Sequence, residues 1–298
     1  MIRRIAALLA CHNRRAKTLA CLRSFLPDAS TEYTLTVYLT DDGSSDGTAA
    51  AVRAEFPAVR VLRGDGSLYW AGGMRLAWDA AAREGDYDAY LWLNDDTLLN
   101  DGAIGNLVHV ASRAAPAVGA IVAGTTADPA TGRPTYGGYA DASDTAPLAP
   151  SGLVQSCAVA NGNILLVPRA VFRAMGNLDP AFAHNFADFD YVLRARAAGF
   201  AACVAPGLLG RCPRDPDPEW CTPGIPLVQR WRALHRPTGL PPREYFTYQR
   251  RHFGVAWLSA LLKLYVRALL PGMWIRLRDA RLRAHRQARP DAVAEPEW

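Results

Sequence analysis

The sequence predicts an α/β fold with a mainly parallel central sheet flanked by helices, followed by a basic helical C-terminal segment. Three observations lead there. Short apolar runs alternate with amphipathic stretches up to about residue 210, the pattern of a parallel sheet covered on both faces. Polar clusters rich in Asp, Gly and Ser follow directly after several of those runs, where ligands bind in such sheets. The charge then changes sign: from Arg230 to Arg289 there are fourteen Lys and Arg against two acids, a net of +12 in a chain that totals +5. Residues 1–229 therefore read as one α/β domain and 230–298 as a basic helical segment.

Each element follows from the periodicity of its residues. Ile5–Ala10 is an apolar strand and Arg14–Phe25 a helix. Leu35–Leu39 is a strand, Asp46–Glu55 a helix with Asp46 near its start, and Val59–Leu62 a strand. Gly72–Arg83 reads as a helix, Ala89–Leu93 as a strand, Asp101–Arg113 as a helix and Val118–Val122 as a strand. From Pro129 to Ser156 the pattern breaks into Gly, Pro, Asp and Thr, an excursion of loops and a hairpin. Ile164–Val167 resumes as a strand, and Pro168 starts a helix where Pro is tolerated. Asp188–Ala198 is a helix closed by Gly199, and Phe200–Ala205 is the last strand. Cys212–Pro226 is a Pro-rich acidic loop.

Composition excludes several classes. The 298 residues are half apolar and a fifth charged, enough for a sizeable core. The six cysteines form no Cys-x-x-Cys pair and no zinc spacing. The apolar run after Met1-Ile2-Arg3-Arg4 is too short for a signal peptide, so a cytoplasmic chain with reduced thiols is expected. Tyr69 stands where the third Gly of a dinucleotide fingerprint would be. There is also no P-loop and no Gly-x-Ser-x-Gly elbow. These absences count against dehydrogenase, NTPase and hydrolase readings.

Carboxylates carry the chemistry. Asp95-Asp96 follows the strand ending at Leu93, with no cation in the local sequence. Adjacent carboxylates repel unless a positive charge joins them, and a hard divalent cation would serve. A solvated turn is an equally open reading of the pair alone. Asp41-Asp42-Gly43-Ser44-Ser45-Asp46-Gly47-Thr48 is not an EF-hand, because Arg53 stands where the loop needs Glu. Asp42 reads as a carboxylate for a nucleobase or ribose, and Asp46 as a helix cap. Gly72-Gly73 with Arg75 places glycines and a cation at a helix start, which suits a phosphate; tight packing around Trp70 and Trp78 is the alternative. Asp188 and Asp190 open a helix, where the dipole alone favours acids. The functional reading makes Asp188 a general base and Asp190 an acceptor-side partner.

Together, Cys11-His12-Asn13-Arg14, the Asp42 motif, Leu93-Asn94-Asp95-Asp96-Thr97, Asn161-Gly162-Asn163 and the helix from Asp188 to Gly199 resemble, in this order, the family 2 glycosyltransferases, whose fold is of the GT-A type. The resemblance covers about residues 2–210. The stretch from Gly64 to Met74 is similar to a bacterial branch that includes rhamnosyltransferase-like enzymes. It implies an inverting transfer from a nucleotide-sugar donor to a hydroxyl of a glycan or lipid-linked acceptor, in cell-surface polysaccharide synthesis. Asp96 would hold Mg²⁺ or Mn²⁺, Asp95 would lie nearer the ribose, and Asp42 would meet the base. Asn13, Arg14, Gly72, Gly73 and Arg75 belong to the donor side, with Asn161, Asp190 and Arg211 on the acceptor side. Asp188 would deprotonate the acceptor. Two departures are visible: Ala187 stands where the family often has Glu, and Gly207–Cys212 lacks the metal-binding His of many members. Arg211 is then expected to bring charge to the diphosphate instead.

Two other classes share part of this pattern. A nucleotidyltransferase would also use metal-bound carboxylates but needs no downstream base. A membrane-docked, non-catalytic nucleotide-sugar-binding protein is the other, and intact Asp95, Asp96 and Asp188 argue against it. Nucleic acid is not an expected partner, because the aromatics of the basic segment sit at helical apolar positions. An anionic membrane surface is the expected partner of that segment, on the inner face of the membrane, with packing on the catalytic domain or another subunit of a homo-oligomer as the alternative.

Overall fold

A computed structural model of the chain describes residues 2–26, 31–115, 119–142 and 146–277. Val118, expected to open a strand, and the basic run from Arg278 onward lie outside the described residues. The chain divides into two compact units, Met1–Asp215 and Pro216–Trp298. That join precedes the expected 229/230 boundary because Trp220, Ala233 and Leu234 share a small core with later helices.

The first unit runs β1 (Arg4–Cys11), α1 (Arg15–Phe25), β2 (Thr34–Asp41), α2 (Thr48–Glu55), β3 (Arg60–Arg63), α3 (Tyr69–Glu84), β4 (Ala89–Leu93), β5 (Leu98–Leu99) and α4 (Ala103–Arg113). It continues with β6 (Ala120–Ala127), β7 (Gly138–Tyr139), β8 (Gln155–Ser156), β9 (Val159–Ala160), β10 (Ile164–Pro168), α5 (Arg169–Met175), α6 (Ala187–Ala197) and β11 (Ala201–Arg211). The main sheet has the order β3-β2-β1-β4-β10-β6-β11-β5, with β8 added on β11. Strands β3, β2, β1 and β4 are mutually parallel, as are β6 and β11. Strand β10 lies between β4 and β6, antiparallel to both. The expected parallel α/β sheet is therefore present, with one reversed central strand that periodicity alone does not orient.

Burial explains the strands. Every residue of β4, β6 and β10 is buried, as expected of strands with helices on both faces. On one face, Leu22 and Phe25 of α1 and Leu107 and Val110 of α4 pack over Leu9, Leu91 and Leu166. On the other, Trp78 of α3 stacks with Trp92, Tyr191 and Phe172 at ring-centroid distances of 5.1, 5.4 and 4.9 Å. Aromatic pairs add about 0.5–1.5 kcal/mol each beyond the area they bury. This cluster fixes α6 against β4, the two elements that carry the carboxylates.

Helix ends depart slightly from expectation. Helix α3 begins at Tyr69, so Gly72 and Gly73 lie inside its first turns. Pro168 is the N-cap of α5, one residue before the helix. Gly199 closes the α6 end with φ of +93°.

The second unit holds a short 3₁₀ turn (Glu219–Cys221), α7 (Leu227–His235), α8 (Pro242–Phe253), a second such turn at Gly254–Ala256, and α9 (Trp257–Leu269). Among the described residues no single helix is long and apolar enough to cross a membrane.

Candidate active site

Sheet topology collects the polar clusters on one edge. Because β1, β2 and β4 are parallel, with Cys11 level with Asp41, the 11–14, 41–46 and 94–96 segments leave the sheet together. The reversed β10 starts at that same edge, with Ile164 level with Leu93. The turn before it, Asn161-Gly162-Asn163, therefore sits beside Asn94, whose N–H donates to the Asn163 carbonyl.

Asp95 and Asp96 are drawn toward cations from α1. Arg14 Nη1 donates to Asp95 Oδ1 at 3.2 Å and to Asp96 Oδ2 at 3.0 Å. Lys17 Nζ lies 3.6 Å from the same Asp96 oxygen, and Thr18 Oγ1 donates to Asp95 Oδ2. The local sequence of the pair holds no cation, and the structure supplies two from elsewhere. The cations lie distant in sequence and arrive because α1 springs from the neighbouring strand. Burial opposes the Arg14 charge, but Asp95 and Asp96 outweigh it and raise its pKa. For Asp95, burial is the largest influence and lifts the pKa to about 6 against the pull of Arg14.

Metal fit can be tested on these atoms. Among the described residues no group of three His, Cys, Asp or Glu forms a cage. A hard cation shared with a diphosphate needs only one or two protein carboxylates, and Asp95 and Asp96 supply them. Arg14 and Lys17 already mark the spot as one that favours positive charge. The residues therefore fit a divalent cation shared with phosphate oxygens rather than a self-contained metal site. Cys212 touches Asp96 as well, its Sγ 3.7 Å from Oδ1; burial pushes that thiol up to about 12.

Asp188 lies at the start of α6. Its Oδ2 accepts the Gly162 N–H at 2.9 Å and its Oδ1 the Phe189 N–H at 2.8 Å. Burial nevertheless raises its pKa to about 6. The same three-residue turn reaches the other carboxylates, since Asn163 Nδ2 donates to Cys212 Sγ at 3.8 Å. A chain of contacts thus joins Asp188 to Asp96 through Gly162, Asn163 and Cys212. Asn161 closes the turn on its other side, accepting from Tyr139 Oη at 2.7 Å. Gly162 is needed here, because a Cβ would lie 2.5 Å from Trp70 Cζ2.

Other expected residues serve the scaffold. Asp42 is buried and accepts the Gly66 and Tyr69 N–H groups, one on each oxygen, which ties the 64–69 loop to it. Asn13 Oδ1 accepts the Ser45 N–H, and the Asn13 N–H donates to Ser44 Oγ, tying the end of β1 to the 43–46 loop. Gly73 allows contact with β1, since a Cβ would lie 2.7 Å from that of Ala10. Gly72 packs on Leu68 in the same way, and packing therefore accounts for both glycines. Arg75 donates to the carbonyls of Asp179 and Phe182. Asp190 is fully buried and accepts from Arg194 at 2.7 Å. Arg211 is exposed at the end of β11, in register with Leu98, and it is Cys212 that meets Asp96.

Some site residues carried no sequence signal. Lys17 and Thr18 look like ordinary positions of an amphipathic helix. His184 has a buried Nδ1 without a hydrogen-bond partner, and burial and then Arg14 depress its pKa. Backbone strain also gathers at this edge. Asn13, Tyr69 and Phe186 have φ of +51°, +54° and +65°, conformations that cost non-glycine residues roughly 1–3 kcal/mol and cluster at functional sites.

Known proteins were then compared. The family described as Glycosyltransferase like family 2 matches residues 3–253. A search of curated proteins found no match. Among solved structures, a mannosyltransferase from Pyrobaculum calidifontis, in complex with GDP-Man and Mn²⁺, is similar with a TM-score of 0.55 at 16% identity. The likeness covers 99% of this chain and 77% of that one. Residues 1–349 of S. aureus TarS give a TM-score of 0.53 at 10% identity over 85% of this chain and 72% of that chain. At such identities the structures show a shared GT-A fold, while the family match extends over most of the chain. The chain belongs to the family 2-like glycosyltransferases and is a glycosyltransferase.

Proposed function

We propose that the chain catalyses metal-assisted, inverting transfer of a hexosyl or deoxyhexosyl unit from a nucleotide sugar to a hydroxyl of a glycan or lipid-linked acceptor in cell-surface polysaccharide synthesis. One observation carries this reading: the 161–163 turn links a carboxylate with a raised pKa, Asp188, to the Asp95–Asp96 pair on one sheet edge. Donor and acceptor chemistry need those two kinds of carboxylate side by side.

Asp96, with Asp95 behind it, would hold Mg²⁺ or Mn²⁺. When bound, the cation supplies positive charge to the diphosphate leaving group. The Pyrobaculum mannosyltransferase holds Mn²⁺ with its donor, which supports the same requirement here. Arg14 and Lys17 turn from the carboxylates toward the phosphates and add to that charge. Asp188 takes the proton of the acceptor hydroxyl while its oxygen attacks the anomeric carbon from the face opposite the diphosphate, so the configuration inverts. Each Asp188 oxygen has lone pairs beyond those used by the Gly162 and Phe189 N–H groups, so the base can accept a proton without leaving its seat. A pKa of about 6 keeps it ionised at neutral pH yet more basic than a solvated carboxylate.

A panel of nucleotide sugars, read by thermal shift with Mg²⁺, Mn²⁺ or chelator, tests the donor assignment. Rhamnosyl donors lead the panel because the Gly64–Met74 stretch carries that resemblance. Stabilisation by one nucleotide sugar, dependent on metal, is the expected result. Equal shifts with and without chelator would remove the metal from the scheme.

A further inference from the structure

The second unit carries a surface that donor chemistry does not use. Its core consists of Trp220, Ala233, Leu234, Leu264 and Ala268, with Leu261 and Tyr265 packed against them. Helix α9 meets that core with one side only. Flanking the core-facing side, Leu258, Leu262 and Leu269 are 61%, 67% and 44% exposed, and Val255 just before the helix is 87% exposed. Spacings of three, four and seven residues place these four on one stripe. The apolar face of α9 is therefore wider than its core covers, and the part that extends past the core is exposed. Beyond the bend at Pro271, the 271–277 helical stretch turns by 117° and adds exposed Met273 and Leu277.

The same helix carries two cations. Lys263 is exposed next to Leu262, and Arg267 lies one turn further on, its guanidinium over the Trp220 and Trp274 rings. Across residues 230–289 the fourteen Lys and Arg face two acids.

We infer that this stripe seats the second unit on an anionic lipid bilayer, with α9 lying in the headgroup plane. An exposed apolar face on a helix too short to span, within a strongly basic segment, is the physical profile of an interfacial helix. Charge selects the occupant. A second copy would bring a net +12 against +12, whereas an anionic leaflet attracts each basic residue by its surface potential. The inference is independent of the donor site and would place an enzyme with a lipid-linked acceptor where that acceptor resides.

Sedimentation of the full chain with phosphatidylcholine vesicles, with and without phosphatidylglycerol, tests it. The wild type should sediment with the anionic vesicles, weaken as salt is raised, and remain in solution with phosphatidylcholine alone. Lys263→Ala should bind roughly fivefold more weakly. The double variant Leu258→Glu/Leu262→Glu should lose vesicle binding while keeping its melting temperature and its nucleotide-sugar thermal shift, because both residues are exposed. Wild type left in the supernatant with anionic vesicles at low salt would overturn the inference. So would equal sedimentation of the double variant. A vesicle-free dimer that the double variant converts to monomer would instead assign the stripe to self-association.

Discussion

At the residue scale the proposed chemistry turns on Asp188 and Arg14. Asp188 accepts two backbone N–H bonds, and burial still outweighs them and leaves its pKa near 6. A carboxyl whose pKa is raised by folding is protonated, and useless as a base, below that value. Turnover should therefore rise with pH through about 6 and fall away on the acid side. Asp188→Asn keeps an acceptor for the Gly162 N–H but cannot take a proton. Turnover should drop by ~10²–10⁴-fold with donor affinity nearly unchanged. The linkage also has a sign: the raised pKa makes the ionised group a cost to folding as pH rises past the unfolded value. The Asn variant is relieved of that cost but sets its amide N–H against the Phe189 N–H, so its turnover should be compared with wild type below the melting temperature of both. Arg14 is the complementary case. In chelator, Arg14→Ala leaves Asp95 and Asp96 facing each other and should lose on the order of 1 kcal/mol, a modest figure because the Arg14 side chain is 45% exposed. Mn²⁺ or Mg²⁺ should then stabilise the variant more than wild type, and equal metal shifts in both would contradict the assignment of that charge site. Asp95 and Asp96 stood out in the sequence because acids after an apolar run are conspicuous, and Asp188 because it opens a helix. Arg14 was legible only as a donor-side residue, since its pairing with Asp95 spans 81 positions.

At the scale of elements, the 64–69 loop shows where periodicity stops informing. Its Gly64, Gly66 and Tyr69 look like a ligand loop in sequence, yet Asp42 binds the loop backbone with both oxygens. Gly64 permits this, since a Cβ would lie 2.5 Å from Asp42 Oδ1. Asp42→Asn replaces one acceptor by an N–H donor aimed at another donor. It should cost about 1–3 kcal/mol in the absence of any ligand, measured by chemical denaturation. Unchanged stability with weakened donor binding would restore Asp42 to the nucleobase. The alternation of strands and helices was legible because each buried strand is apolar throughout, as at Ala89–Leu93. The direction of β10 was not, since a fully buried strand reads the same either way. Helix α3 began three residues earlier than expected because Tyr69 accepts a positive φ that its hydrogen bond to Asp42 holds in place.

The whole molecule joins an α/β unit to a basic helical unit. The charge reversal made the second unit visible in the sequence, but its start at Pro216 was not, because Trp220 belongs to its core while the acidic loop around it carries the first unit's charge sign. Opposite charge signs suit separate tasks, carboxylate chemistry in one unit and attraction to an anionic surface in the other. The central claim is that Asp96 organises diphosphate departure from a sugar. The nucleotide released on turnover of the stabilising donor tests it most directly, compared between wild type and Asp96→Ala, with metal and with chelator. The account predicts a nucleoside diphosphate from wild type with metal, and background levels from Asp96→Ala or in chelator. Release of pyrophosphate, or undiminished nucleoside diphosphate from Asp96→Ala in chelator, would contradict it.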